Sequence, residues 1–394
     1  TGCKMDVNFE KSLKFFLVPL RLVRTHPDIP ITIKWFTQYF SCHGIFTILA
    51  IVIIYNSYIN AINNDFSEAC KNGILSLTYF GATLNNFIMF WHRKPMKKLL
   101  DLMEHDYEMA AGLPRDERSI FQKYAIQKTK VCKLWFVLVT VACSLFSMKA
   151  ILLMIYYFAI GEPKLVHLYD LVYPDFVETR KGELSMYLVI YFLIFSYGVY
   201  GGLVYMSFLP LGPVLMLHAC GHLEIAKEQI KTLFNGDSED INKKMRDIIQ
   251  KLQYTHNFVE TVKECLKVFY EVTLKLSALA LPVTFYALLE SLKHGEFSLE
   301  FSSFILSGIA ISSVPCYYSD MLLEKGEEVR LALYTCGWEC EYNRRVRTTI
   351  LSLLIQCSRP ITVQTMFNTL CLYALTGMFQ EAYTIFNLMN AVLN

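Results

Sequence analysis

Long apolar runs alternate with charged, amphipathic stretches along the chain. Seven of these runs each cover the roughly 20 residues that a helix needs to cross a bilayer core. They fall at about 36–59, 73–91, 134–160, 184–209, 265–291, 300–322 and 361–391. Between them, apolar residues recur at helical spacing, which indicates helices outside the membrane. The pattern therefore predicts an all-α polytopic membrane protein with seven transmembrane helices.

The runs divide the chain into four parts: a basic amphipathic arm, a six-span region with two long helical loops, an amphipathic helix and a last span. Their bounds are 1–35, 36–323 with loops 92–133 and 210–264, 324–359 and 360–394. The arm predicts a short helix at a membrane surface. Asn235-Gly236-Asp237 predicts the turn of a helical hairpin in the second loop. Pro360 is expected to stop one helix and to begin the next.

The positive charges predict the orientation of the chain. Of 37 Lys and Arg residues, 29 fall in the N-terminal arm and the connections on its side of the membrane, and 5 fall on the other side. Cytosolic segments carry the excess of Lys and Arg, so the N-terminus is expected in the cytosol and the C-terminus outside. The segment 324–359 is then a cytosolic anchor helix. This topology is the reverse of a G-protein-coupled receptor, and no G protein is expected as a partner.

The composition agrees with a membrane protein and gives no sign of a nucleic-acid-binding or disulfide-rich protein. Of the 394 residues, 54% are hydrophobic and 18% are charged, whereas soluble domains carry about 25% charged residues. The lipid bilayer is the partner that this composition indicates. The net charge of +2 does not point to a nucleic acid. The 12 Cys residues are scattered through apolar segments and imply no disulfide framework.

Motifs for catalysis are missing or incomplete. The sequence has no Gly-x-Ser-x-Gly, phosphate-binding loop or dinucleotide fingerprint, so neither an enzyme activity nor a cofactor is expected. His218 and His222 have the i, i+4 spacing of a zinc-binding helix, but the Glu of a metalloprotease does not follow the first His. No third ligand is apparent near the two histidines, and no further ligands are apparent near Cys336 and Cys340. No catalytic residue and no metal site are therefore predicted.

A series of short motifs runs from the end of the sixth span to the C-terminus. They are Cys316-Tyr317-Tyr318, Leu331-Ala332-Leu333-Tyr334, Trp338, Arg344-Arg345-Val346-Arg347, Ile350-Leu351-Ser352-Leu353-Leu354, Arg359-Pro360-Ile361-Thr362-Val363 and Tyr383-Thr384-Ile385-Phe386. In order and spacing, these motifs resemble the insect odorant receptor family. The chain departs from that family at Thr365-Met366, where Ala-Gly is common.

The resemblance implies an odorant-gated, non-selective cation channel in the plasma membrane of olfactory sensory neurons. A tuning subunit of this family binds a small volatile and assembles with olfactory co-receptor subunits, as a tetramer around one pore. The co-receptor has a large insertion before its fifth span, whereas this chain has only the hairpin at 214–262, so it resembles a tuning subunit.

Two alternatives remain. One is a gustatory-type or homomeric ligand-gated channel, although the C-terminus lacks the typical gustatory Thr-Tyr…Gln-Phe pattern. The other is a membrane transporter, although paired broken helices are not visible in the sequence.

The resemblance also implies an odorant pocket in the outer half of the bundle, between the second and fifth spans. Such pockets are mostly apolar and aromatic, with few polar groups. The candidate odorant-binding residues at that depth are Tyr79, Phe80, Thr83, Ser147, Ile151, Met154, Tyr187, Tyr191, Phe195, Phe285 and Tyr286. Ordinary packing of the bundle is the competing explanation for each of them.

One stripe of the seventh span is mostly small or polar. It consists of Tyr373, Gly377, Glu381, Thr384, Leu388 and Ala391 at helical spacing. A carboxylate within a membrane is costly unless it faces water or a partner, which makes Glu381 a functional candidate. Leu388 falls where the family places an apolar gate, and such a constriction can close a pore by dewetting. All members after Tyr373 are candidate pore or gate residues, and a helix-packing face is the alternative.

The anchor helix carries Trp338 and the basic cluster Arg344, Arg345 and Arg347. Trp338 is expected to pack between subunits, where aromatic residues are favoured. The arginines are expected to pair across subunits or to contact lipid head groups. A solvated basic face is the alternative.

Lys149 lies within the third span without an obvious local partner. A cation at this depth is expected to face a water-filled cavity or to pair with a carboxylate. Glu290 is one acidic residue that could supply the pair, and such a structural pairing is favoured over a ligand-binding role.

Overall fold

The computed structural model describes residues 8–63, 65–162, 164–169, 171–235, 238–293, 295 and 298–393. The helices in these ranges are α1 (Phe9–Leu22), α2 (Ile33–Ile62), α3 (Phe66–Trp91), α4 (Arg93–Met109), α5 (Arg115–Ile160), α6 (Asp175–Glu178), α7 (Leu184–Phe208), α8 (Leu211–Lys231), α9 (Ser238–Lys293), α10 (Leu299–Thr335), α11 (Arg344–Cys357) and α12 (Leu372–Leu393). The β pairing recorded for the described residues is an isolated bridge between Gln364 and Thr369. The all-helical prediction is therefore confirmed.

Five segments of the described chain are long and apolar enough to cross a membrane, judged by length and composition. They are Ile33–Ile62, Arg115–Ile160, Leu184–Lys231, Asp240–Lys293 and Leu299–Cys340. Each contains one of the seven predicted spans. The other two predicted spans coincide with α3 and with most of α12. The count of seven and the orientation of the termini remain predictions.

Predicted membrane spans and predicted cytosolic helices join into long continuous helices. α5 contains the third span together with the end of the preceding loop, and α9 and α10 do the same for the fifth and sixth spans. A continuous helix avoids the unpaired backbone groups that each helix end creates. Of the predicted hairpin turn, Asn235 lies in a turn after α8, and Gly236 and Asp237 lie outside the described residues.

The N-terminal arm packs on the protein rather than lying free at a surface. α1 contacts α5 and α7. Its apolar face is buried there through Leu13, Phe16, Leu17 and Leu20. Burial of these four side chains stabilises the contact by about 1.5–3 kcal/mol for each residue. The prediction of a helix was right, and its place at a membrane surface stays a prediction.

The predicted anchor helix at 324–359 is two helices. α10 continues to Thr335, and Gly337 then adopts a φ of 86°. This left-handed conformation favours glycine and ends helices. The chain turns through Trp338–Cys340 before α11 begins, and the side chain of Asn343 caps that helix.

The last helix begins later than Pro360. Residues 363–370 form a tight hairpin, in which Leu370 N donates to Val363 O at 3.0 Å and Thr365 N donates to Asn368 O at 2.8 Å. The Thr365 hydroxyl also bonds to the backbone of Asn368, which offers this segment an alternative to helical hydrogen bonds. Because Val363 and Leu370 are buried, the hairpin is held in the core, and α12 starts only at Leu372.

Asp320 of α10 caps the start of α12. Its Oδ2 accepts a hydrogen bond from Leu372 N at 3.0 Å, which pairs a backbone group that a helix start would otherwise leave unpaired. We expect Asp320→Ala to lower the free energy of unfolding by about 1 kcal/mol, measured by thermal unfolding of the purified chain. Glu324→Ala, one turn further along α10 and exposed, is the control. Equal losses in both variants would contradict the cap.

Candidate functional site

A cavity of about 270 Å³ lies between α3, α5, α7, α9 and α10. It extends from Tyr169, in the connection between α5 and α7, to Trp135 and Leu209 near the start of α8. Most of its other lining side chains are aliphatic or aromatic. Sites for small organic molecules have this character, and this volume lies just below the range of about 300–1,000 Å³ for drug-sized ligands. The cavity therefore suits a ligand smaller than a drug.

Glycines on α7 create part of the space. Gly198 and Gly201 line the cavity, and a Cβ added at either would meet nothing within 4 Å. Gly202 lines it too, but a Cβ there would lie 2.9 Å from the sulfur of Cys143 on α5. The first two glycines leave room for a ligand, and Gly202 permits the close approach of α5 and α7.

Three buried polar side chains that line the cavity have polar atoms without a hydrogen-bond partner among the described residues. They are Asn85, Trp135 and Tyr197. The amide of Asn85, the indole N–H of Trp135 and the hydroxyl of Tyr197 make no hydrogen bond to any other described residue. An unpaired buried polar group costs about 1–3 kcal/mol, so most such groups in native proteins are paired. A ligand with a donor or an acceptor could supply the missing bonds.

Among the eleven predicted odorant-binding residues, only Tyr79 belongs to the described lining of this cavity. Phe80, Ile151, Phe195 and Phe285 are exposed on the outside of the chain. The other six predicted residues are buried or partly buried but do not belong to the described lining. They are Tyr187 and Tyr286, which are buried, and Thr83, Ser147, Met154 and Tyr191, which are partly buried. Most of the predicted residues therefore lie on helices that enclose this cavity but not on its lining, and their role in odorant binding stays a prediction.

The sequence contained two signals for the cavity that the prediction did not use. Gly198, Gly201 and Gly202 cluster on one span, where glycine often marks a close approach or a space. Asn85 is a polar side chain within a membrane span, and such residues are functional candidates by default. Neither signal gives the rotation of α7, which is apolar all round, as is usual for a buried or lipid-facing helix.

α12 turns its predicted pore stripe away from its own bundle. The opposite side of the helix buries Leu375, Met378 and Ala382, and α12 packs mainly on α9. Tyr373 and Leu388 are 88% and 62% exposed. A shallow cleft on the exposed side is lined by Gly377, Gln380, Glu381, Thr384 and Ile385. Within this chain, the stripe is therefore not a helix-packing face.

Glu381 forms an ion pair with Lys275 of α9. Its Oε2 lies 3.6 Å from the Lys275 Nζ, and the two side chains are 57% and 61% exposed. Exposed pairs contribute about 0–1 kcal/mol. Lys275 and Glu381 are therefore bound weakly enough to separate and pair with other groups. Their ion pair also connects the stripe on α12 to α9, a helix that lines the cavity.

Lys149 pairs with Glu300 rather than with Glu290. Its Nζ lies 3.0 Å from the Glu300 Oε1, and the Glu300 side chain is only 7% exposed. Glu290 pairs instead with Lys293. The prediction of a carboxylate partner is confirmed and its identity is corrected. Glu300 lies in the first turn of α10, and its depth relative to α5 could not be read from the sequence.

The anchor region leaves its basic cluster exposed. α11 packs on α10 and buries Val346, Ile350 and Leu353. Arg344, Arg345 and Arg347 are exposed, and no ion pair with another described residue is recorded for them. Trp338 is partly buried, and its indole N–H has no partner in the described chain. Tyr334, Leu351 and Ile355 add exposed apolar area on α10 and α11.

His218 and His222 have a third neighbour, so the expectation that none lies nearby is wrong. The Asp106 Oδ2 on α4 lies 2.9 Å from the Nε2 of His218 and 3.0 Å from the Nε2 of His222. Burial alone would raise the pKa of the Asp106 carboxyl, but hydrogen bonds from the two histidines outweigh it and hold this pKa well below its usual value. Asp106 is 112 positions from His218, so local spacing could not reveal the cluster.

Comparisons with known proteins give a consistent result. A family model with the description 7tm Odorant receptor matches residues 65–383. The chain is similar in structure to the insect olfactory receptor OR5 from Machilis hrabei, with a TM-score of 0.76, 16% identity, and coverage of 96% of this chain and 97% of that one. For OR5 in complex with eugenol, the TM-score is 0.77, the identity 16% and the coverage 98% of each chain. No curated protein matches the sequence significantly.

Proposed function

The chain belongs to the 7tm odorant receptor family, and on that premise we propose that it is the odorant-binding subunit of a ligand-gated, non-selective cation channel. The observation that carries this proposal is the largely apolar cavity with three unpaired polar groups. The eugenol complex of OR5 supports a small volatile organic ligand for this chain as well.

The binding free energy of the odorant comes from burial of its apolar surface and from one or two hydrogen bonds. Apolar area removed from water is worth about 25 cal/mol per Å². A carbonyl, ether or hydroxyl on the volatile would pair with Asn85, Trp135 or Tyr197. The preferred odorants are therefore mainly apolar molecules with a single polar group.

α9 connects the cavity to the pore stripe. Thr273, Leu276 and Ser277 line the cavity. Lys275, within the same two turns, pairs with Glu381 of α12. We take α9 and α12 to have one arrangement in the closed channel and another in the open channel. Odorant binding shifts the equilibrium between them only by the difference between its affinities for the two.

The exposed stripe of α12 lines the pore in the assembled channel. Carboxylates such as that of Glu381 attract cations, and Leu388 forms the apolar gate. Olfactory co-receptor subunits complete the assembly, and the exposed surface of α10 and α11 around Trp338 and the arginines meets them. In this arrangement the chain crosses the plasma membrane of an olfactory neuron seven times, with its N-terminus in the cytosol.

Leu388→Ala should produce a current without odorant, several-fold above the wild-type basal current, because a smaller side chain weakens dewetting of the closed pore. Whole-cell recording from cells that also express the co-receptor measures it. Phe379→Ala, on the other side of α12, is the control and should leave the basal current unchanged. Wild-type basal current from Leu388→Ala at normal surface level would remove Leu388 from the gate.

Binding is tested directly by thermal unfolding of the purified full-length chain with a panel of volatiles, sugars and amino acids. A ligand at 100 times its Kd stabilises the folded state by about 2.7 kcal/mol. We expect stabilisation by volatiles alone. Stabilisation by sugars would favour the gustatory-type alternative, and stabilisation by amino acids together with saturable flux would favour a transporter.

A further inference from the structure

We propose that Asp106, His218 and His222 bind a zinc ion that ties α4 to α8. The inference is independent of odorant binding and of the pore. The two histidines lie one turn apart on α8, and Asp106 lies on α4. The ligand atoms of the three side chains all lie within 4.8 Å of one another.

The geometry of the three atoms fits a metal ion. The two Nε2 atoms lie 3.2 Å apart, and each is about 3 Å from the Asp106 Oδ2. Zinc takes His nitrogen and carboxylate oxygen at about 2.0–2.2 Å in tetrahedral sites, which places neighbouring ligand atoms roughly 3.3 Å apart. Small outward movements of the side chains would seat the ion.

Hydrogen bonds alone satisfy this cluster poorly. Tyr254 on α9 also donates its hydroxyl to the Asp106 Oδ2, at 2.5 Å, so three groups crowd one carboxylate oxygen. If both Nε2 atoms carry protons, the two N–H groups face each other at close range. If either lacks one, its lone pair faces the carboxylate. A cation at the centre would remove these repulsions.

The surroundings resemble the outer shell of a metal site. Such sites hold the ligating carboxylate and the second ring nitrogen of each histidine by further hydrogen bonds. Tyr254 supplies the bond to Asp106, and the Lys128 Nζ lies 3.3 Å from the Nδ1 of His218, whereas the Nδ1 of His222 is buried with no hydrogen-bond partner among the described residues.

Ligand chemistry selects the metal. Two imidazoles and one carboxylate suit zinc and its first-row neighbours, whereas calcium and magnesium take oxygen ligands. Three protein ligands leave the fourth tetrahedral position for water. Because α8 directly follows α7, the ion would fix the cytosolic helix that continues from a wall of the odorant cavity.

The test uses the full-length chain, purified without a polyhistidine tag and stripped with a chelator. Zn²⁺ is then added back, and bound metal and thermal unfolding are measured. We expect one tightly bound zinc per chain and a higher unfolding temperature. Co²⁺ in the same site should give the strong visible absorption of tetrahedral coordination.

His222→Gln and Asp106→Asn should each weaken zinc binding about tenfold or more. His105→Gln is the matched control, because His105 is the exposed neighbour of Asp106 on α4 and should leave binding unchanged. Equal zinc retention in His222→Gln and the wild type would overturn the proposal. If the variants fail to fold, the wild-type chain decides. A wild-type chain that retains no zinc and gives no tetrahedral Co²⁺ spectrum would also overturn the proposal.

Discussion

Gly201→Leu should abolish the odorant-evoked current of the receptor. Gly201 lines the cavity, and a Cβ there meets nothing within 4 Å. The first atom of a leucine side chain therefore meets open space, and the rest of the side chain would occupy part of the cavity of about 270 Å³. Even a small steric conflict in an apolar pocket changes affinity about 10–200-fold. A dose–response series of odorant-evoked currents measures the effect.

The matched control for this variant is Gly44→Leu. Gly44 is also a helical glycine with nothing within 4 Å of an added Cβ, but it lies on the exposed side of α2, away from the cavity. Both changes raise helix propensity equally, so only the filled cavity distinguishes them. An unchanged dose–response curve for Gly201→Leu at normal surface expression would place the odorant elsewhere.

Lys149→Met should destabilise the membrane bundle. The Lys149 side chain is 54% exposed, but its partner Glu300 is only 7% exposed, so the change leaves a buried carboxylate without its ion pair, at a cost of about 1–3 kcal/mol. Thermal unfolding of the purified chain should show a drop, and surface expression should fall with it. The double variant Lys149→Met with Glu300→Gln should recover most of the loss, because the stranded charge is then gone.

Lys275→Met provides the comparison for this prediction. Its pair with Glu381 is exposed at both ends, so its loss should cost at most about 1 kcal/mol. Similar unfolding temperatures for the two lysine variants would contradict a structural role of the Lys149–Glu300 pair. Failure of the double variant to recover would show that Lys149 acts through other contacts.

The sequence predicted the helical class well, and five predicted spans fall in segments long and apolar enough to cross a membrane, because hydropathy summed over 20 residues outweighs errors at single positions. Helix ends were less predictable. The break at Gly337 depends on one backbone conformation, and the late start of α12 depends on the Thr365 hairpin and on the Asp320 cap from another helix. The Asp320 cap joins residues 52 positions apart, and the other two features are single local conformations, so none of the three leaves a periodic signal.

The sites were less predictable than the fold for the same reason. On an apolar helix such as α7, periodicity does not decide which face meets a cavity, so Phe195 was chosen where Tyr197 lines it. Small and polar residues mark one side of α12, which made its exposed face easier to recognise, while the role of that face in a pore stays a prediction. The partners of Lys149 and of the two histidines come from other helices and required the structure.

The most direct test is whole-cell current from cells that express this chain, with and without an olfactory co-receptor, during exposure to a panel of volatiles. The proposed function predicts an odorant-evoked, non-selective cation current that requires both subunits and disappears with Gly201→Leu. Current from this chain alone would support the homomeric alternative and contradict the co-receptor requirement. Normal surface expression without current under either condition, across a panel that also includes sugars and acids, would contradict the channel and favour transport.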